Sequence, residues 1–295
     1  MWALHGFKLS LAGFLGAALL LGAVEFALAS EGQLPQSSVA APVVGGPLVV
    51  TSKGAGDVRW ILPGKRRLDP KIFGTPAAPL GFEPDVGLPI DMRLVNADGS
   101  AWTTTALPTP FSDKFAPISG YYALKAVDVT LDDSPASKDK IEFSARFASP
   151  DNNNIYKVTS KHVIPVGLAH TFMGGVGTNF SFHGMTGIGT KLMPTMPVLM
   201  AFWGAAILQV NGVVVATNRL VHVMITCDAR DADYKLVFDD AVDCSHVHTH
   251  VILANIAITP NGPVTSPVPT GFILPNGMEQ PFLHIMYEDI KVNGG

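Results

Sequence analysis

Apolar and polar residues alternate with a period of two along much of the chain beyond residue 57, the pattern of strands that bury one face. Residues 121–131 carry it clearly, with Ala123, Lys125, Val127, Val129 and Leu131 on one side and Tyr122, Leu124, Ala126, Asp128 and Thr130 on the other. Similar runs at 57–62, 90–95, 101–105, 140–147, 155–166, 207–210, 213–217, 220–226, 246–258 and 282–292 predict further strands. Turn chemistry separates them. Asn211-Gly212 is the strongest short hairpin signal, and Asn96 to Ser100 and Asp151 to Asn154 supply longer turns. Residues 198–208 form an apolar run that is also compatible with a helix, and recurring prolines and glycines make 74–89 an irregular connection. Many short strands with frequent turns predict an all-β fold, an antiparallel β-sandwich or barrel-like sheet.

The N-terminus reads differently. Residues 9–24 are almost wholly apolar, and Ala27-Leu28-Ala29 before Ser30 has the small-x-small pattern of a signal-peptidase site. Residues 1–29 are therefore expected to be a signal peptide that directs the chain to a secreted or periplasmic location. Residues 30–56, rich in Ala, Gly, Pro, Ser and Val, read as a flexible lead-in that adds little to the core. Residues 57–295 then form the β-rich domain, with the turn near residue 150 as a candidate divide into 57–150 and 151–295. No membrane span is expected in the mature chain, because Pro194 and Pro197 interrupt the apolar stretch 192–208.

Composition narrows the function. At 15% charged residues and net charge −4 the chain has no basic stripe to neutralise phosphates, which argues against nucleic acid. The glycine-rich stretch 170–190 matches neither the dinucleotide nor the P-loop spacing, since Gly189-Thr190-Lys191 is out of order. Serine-hydrolase, zinc-protease and EF-hand motifs are absent too, and enzyme activity is not the expectation. Low charge leaves self-association or an envelope protein partner open.

Candidate chemistry sits at Cys244-Ser-His-Val-His-Thr-His250. His246, His248 and His250 fall on one face of a strand, each about 6.5–7 Å from the next, so that adjacent imidazoles can share a metal. His222 with Met224, and His284 with Met286 and Glu288, share faces of other strands. If those strands are neighbours, His222, His246, His248, His250 and His284 converge on a metal, for which imidazole and thioether donors suggest copper or zinc. Met193, Met196 and Met200 belong to the same soft-donor set or simply fill the core. Cys227 and Cys244, the only cysteines, are expected to form a disulfide, with Cys244 as a thiolate ligand the competing reading.

The sequence thus supports an exported β protein that binds copper or zinc for storage, delivery or sensing. A metal-free structural or interaction module of the cell envelope is the alternative. A metal-dependent oxidoreductase, with Glu288 as the nearest general base, ranks behind both.

Overall fold

The computed structural model describes residues 48–80, 88, 90–104, 112–129, 138–164, 174–274 and 277–294. The expected signal peptide, the lead-in as far as residue 47 and His170 lie outside them. The first strands are β1 (Leu48–Ala55), β2 (Val58–Ile61), β3 (Leu94–Val95), β4 (Trp102–Thr103), β5 (Phe115–Ile118), β6 (Gly120–Asp128), β7 (Lys140–Ala148) and β8 (Ile155–Val163). They are followed by β9 (Val176–Phe182), β10 (Met196–Val210), β11 (Val213–Asp228), β12 (Asp243–Thr259), β13 (Gly262–Thr265), β14 (Leu283–Tyr287) and β15 (Ile290–Asn293). Among the described residues the one α-helix is α1 (Pro70–Phe73).

Thirteen strands form a single sheet in the order β15-β1-β6-β7-β8-β10-β11-β12-β14-β2-β5, with β9 added on β10 and β13 on β12. All pairings are antiparallel, and the sheet curls into a half-barrel, so the all-β expectation holds. Tyr122 shows why the curl is stable. Its hydroxyl, on β6, lies 2.6 Å from Thr249 Oγ1 on β12 and 2.5 Å from Ser52 Oγ on β1, so strands far apart in the sheet order meet across the interior. Around it pack Trp60, Phe143, Phe147, Tyr156, Phe202 and Tyr287.

The two sides of the β10–β11–β12–β14 ladder differ. Phe202, Val223, Val251 and Ile285 face this interior. The alternate residues face the other way, where smaller clusters around Phe182, Trp203 and Met196 cover them. Residues 198–208 are strand and not helix, because β10 is paired with β8, β9 and β11, and tertiary pairing outweighs local propensity. Asn211 and Gly212 both take positive φ, 51° and 83°, which closes the expected β10–β11 hairpin. The two runs 213–217 and 220–226 are one continuous strand, β11. Residues 90–92 form a short 3-10 turn, which leaves only β3 and β4 of the hairpin expected there.

The lead-in reading needs correction at its C-terminal end. Residues 48–55 are β1, inserted between β15 and β6. Small residues there are a packing requirement: a Cβ on Gly54 would stand 2.6 Å from the Tyr122 ring, and Ser52 bonds that ring's hydroxyl. The turn near residue 150 is likewise a β7–β8 hairpin within the same sheet.

Cys227 and Cys244 are joined as a disulfide, which removes the thiolate-ligand reading of Cys244. The bond ties the end of β11 to the start of β12, where the register slips between Cys227 and Asp228. Replacing both cysteines by serine is expected to lower the unfolding free energy by about 3 kcal/mol, the entropy of closing a loop of this size. Denaturant unfolding without reductant measures it. An unchanged midpoint would mean that the β11–β12 ladder already restrains the loop. Among the described residues no helix is long and apolar enough to cross a membrane.

Candidate functional site

The strands bearing the histidines are neighbours. Across β11, β12 and β14 the register aligns His222 with Ile252 and His284, Met224 with His250 and Met286, and Thr226 with His248. Directly opposed residues in an antiparallel ladder share a face, and alternate residues along one strand do too. His222, His248, His250 and His284 therefore all lie on the covered outer face of the half-barrel. His248 and His284 are fully buried, and His222 and His250 are each 2% exposed.

The side chains form one hydrogen-bonded chain. Tyr234, from the loop between β11 and β12, donates its hydroxyl to Glu288 Oε1. Glu288 Oε2 lies 3.2 Å from His248 Nδ1, and Asp228 Oδ1 stands 3.5 Å from the same nitrogen. His248 Nε2 is 3.0 Å from His250 Nε2, and His250 Nδ1 is 3.0 Å from His284 Nε2. Thr226 Oγ1 lies 3.2 Å from His250 Nε2 and donates to the Cys227 carbonyl. The ionised Glu288 can only accept, so His248 Nδ1 donates to it, and in the neutral tautomer the Nε2 lone pair is then left to accept. His250 then donates from Nε2 to His248 and accepts at Nδ1 from His284. One set of neutral tautomers satisfies every contact in this row.

Electrostatics disfavour a charge on His250. Burial pulls His250 well below the ordinary histidine value, and the neighbouring His248 and His284 rings push it the same way. Burial also opposes the charge on Glu288, but hydrogen bonds from His248 and Tyr234 and the Arg59 charge outweigh it and hold the carboxyl below its usual range. Tyr234 is raised by burial and by the Glu288 charge, so it stays protonated.

The outer end of the chain meets solvent in a cleft of about 450 Å³ lined by Asp57, Asp228, Asp231, Glu288 and Asp289, with Arg59, Tyr234 and His246. His246 is exposed there. It shares the strand face of His248, but the β12–β14 pairing ends at Thr249 and Tyr287, so β14 does not reach it. His246 stands outside the imidazole chain.

His222 also stands apart from it. Its Nδ1–H donates to the Phe202 carbonyl at 2.9 Å, its ring stacks on Trp203 at 4.1 Å, and its Nε2 has no hydrogen-bond partner among the described residues. Burial pulls it down to about 4. His183 joins this neighbourhood from the loop after β9 and accepts at Nδ1 from the Thr190 amide, 3.0 Å away. Burial, then the charges of His222 and His284, hold it well below the ordinary value. Met196, Met200 and Met224 are buried in three separate apolar clusters and do not form a common donor set.

Sequence reasoning missed Tyr234, Thr226 and Asp228. Thr226 and Asp228 continue the His222–Met224 alternation along β11, whereas the loop residues Tyr234 and His183 reach this face only through the fold. Among the described residues, no group of three or more His, Cys, Asp or Glu side chains gathers its donors around one ion position. No family model matches the chain, and no curated protein or solved structure matches it.

Proposed function

We propose that the protein is an exported metal-binding protein that holds copper or zinc between His248 Nε2 and His250 Nε2, for storage, delivery or sensing. The observation that carries this reading is the buried 3.0 Å separation of two imidazole nitrogens from alternate residues of one strand. Two nitrogens each about 2.0–2.1 Å from one ion stand about that far apart at a near-right-angle bite. The surroundings match what ligating imidazoles require. Each ring's other nitrogen is engaged, His248 Nδ1 with a carboxylate and His250 Nδ1 with His284, the outer contacts that orient a metal-bound histidine. For both Nε2 lone pairs to face one ion, the His250 proton moves to Nδ1 and is donated to His284 Nε2, whose own proton shifts to its other ring nitrogen; Thr226 Oγ1 would lie beside the ion. Two imidazoles and a hydroxyl are fewer donors than structural zinc takes, and imidazole suits copper and zinc alike, so water would complete the shell of either ion. The carboxylates of the cleft would draw cations toward His248.

The test is metal content and titration of the mature chain purified without an affinity tag. Near-stoichiometric copper or zinc, with nitrogen-15 shifts confined to His248 and His250 Nε2, is the expected result. His250→Gln should weaken binding at least tenfold to a hundredfold while leaving the far-ultraviolet spectrum intact. A wild-type chain that refuses both metals at micromolar concentration would overturn the reading. The imidazole row, hydrogen-bonded throughout without a metal, favours as second reading a metal-free structural module whose polar network fixes the strand register.

A further inference from the structure

The loop between β11 and β12 holds one residue in a conformation that its side chain disfavours. Tyr234 has φ 64°, in the left-handed region that glycine enters readily and a bulky aromatic residue rarely does. Hydrogen bonds on either side impose it. The Tyr234 amide donates to the Asp231 carbonyl at 2.8 Å, and the Asp231 amide donates to the Lys235 carbonyl at 2.9 Å. Asp231 Oδ1 accepts from the Asp233 and Lys235 amides at 3.0 and 2.8 Å. The Arg230 guanidinium donates to the Tyr234 carbonyl at 2.9 Å and to the Ser112 carbonyl at 3.1 Å, which fastens the turn to the segment before β5. A backbone outlier kept by so many contacts points to a side chain that has to reach a particular place.

The ring is placed as firmly as the backbone. Arg59 Cζ lies 4.0 Å and Arg230 Cζ 4.6 Å from its centroid, and the Phe115 ring packs at 4.5 Å. Arg59 is itself held by Asp57 through two bonds of 2.9 and 2.6 Å. So fixed, the phenol donates to Glu288 Oε1, which leaves Oε2 facing His248 Nδ1 at 3.2 Å. Among the described residues, no other group donates to this carboxylate. Asp228 Oδ1, 3.5 Å from His248 Nδ1, is too distant to replace it.

We propose that Tyr234 is a positioning residue for the imidazole pair: by holding Glu288 Oε1 it fixes the carboxylate against His248 Nδ1 and keeps His248 Nε2 free to take an ion. The proposal rests on the metal reading for the use made of that nitrogen, whereas the positioning itself exists in the metal-free chain.

Tyr234→Phe tests it, because phenylalanine keeps the ring, its contacts with both arginines and the turn, and removes only the hydroxyl. Nitrogen-15 spectra of the metal-free mature chain are taken at about pH 8.5, roughly two units above the ordinary histidine value. Wild-type His248 should show a single neutral form with its proton on Nδ1, and the variant a mixture of both neutral tautomers. Copper or zinc affinity should fall about tenfold in the variant, the lower end for losing an outer contact of a ligating histidine. A tyrosine that only stabilises the loop would lower the unfolding midpoint and leave the His248 nitrogens unchanged, and that result would overturn the proposal. So would a wild-type His248 protonated on Nε2, a finding that needs no folded variant. If the wild-type chain takes up neither metal, the metal reading fails by itself, and the nitrogen spectra still decide the role of Tyr234.

Discussion

Acidification between pH 6.5 and 5.5 is expected to remove about 3 kcal/mol of stability from the chelator-treated protein, well above the range where ordinary carboxylates titrate. His183, His222 and His250 are buried, and burial depresses all three in the folded chain, His222 to about 4. In the unfolded chain each regains the ordinary value near 6.5. Below that pH the unfolded state binds protons that the folded state refuses, so stability is complete above about pH 6.5 and falls as the pH drops toward the folded values. With three such groups the slope approaches three protons, about 4 kcal/mol per pH unit. That loss is a large share of the 5–15 kcal/mol typical of a folded domain. Glu288, held low by its partners, contributes in the same direction below about pH 4.5. Denaturant midpoints at pH 7.5, 6.5 and 5.5 measure the effect. His222→Phe should reduce the slope by one proton, and a flat profile down to pH 5.5 would show that the buried rings are not held neutral.

Glu288→Ala is expected to destabilise the protein by about 3–5 kcal/mol, the cost of removing one partner from a buried charged network. The carboxylate accepts from both Tyr234 and His248, and it also favours the charges of Arg59 and Arg230. Without it a buried phenol and an imidazole N–H lose their acceptor. Glu288→Gln should cost less, because its amide oxygen keeps one of the two bonds while its NH₂ opposes the other donor. Urea unfolding of the two variants reads the difference. Near-equal small losses would mean that water from the cleft replaces the carboxylate. In the metal reading Glu288→Gln also loosens the orientation of His248, with an expected tenfold to hundredfold loss of affinity.

How far the site was legible depends on the residue. His248 and His250 were legible because side-chain alternation is a local property of extended backbone. His222, His284 and Glu288 could be assigned to strand faces but not to neighbours, because register depends on pairing partners distant in sequence. His246 follows the same alternation and still falls outside the buried row, since β14 stops short of it. The residues of β1 were hidden in the opposite way. Ser52 and Gly54 are small to make room for Tyr122, and small residues without a visible partner resemble a linker.

The sequence by itself determined the all-β class, the β10–β11 hairpin and the disulfide partners, because period-two patterning, turn chemistry and a lone cysteine pair are written into short stretches of chain. Only the tertiary structure decided that β11, β12 and β14 are adjacent and that Tyr234 and His183 reach the histidine face from loops. Those facts depend on which segments meet when the sheet curls. Contacts of that kind are set by burial and pairing over long sequence separations, and no local pattern encodes them.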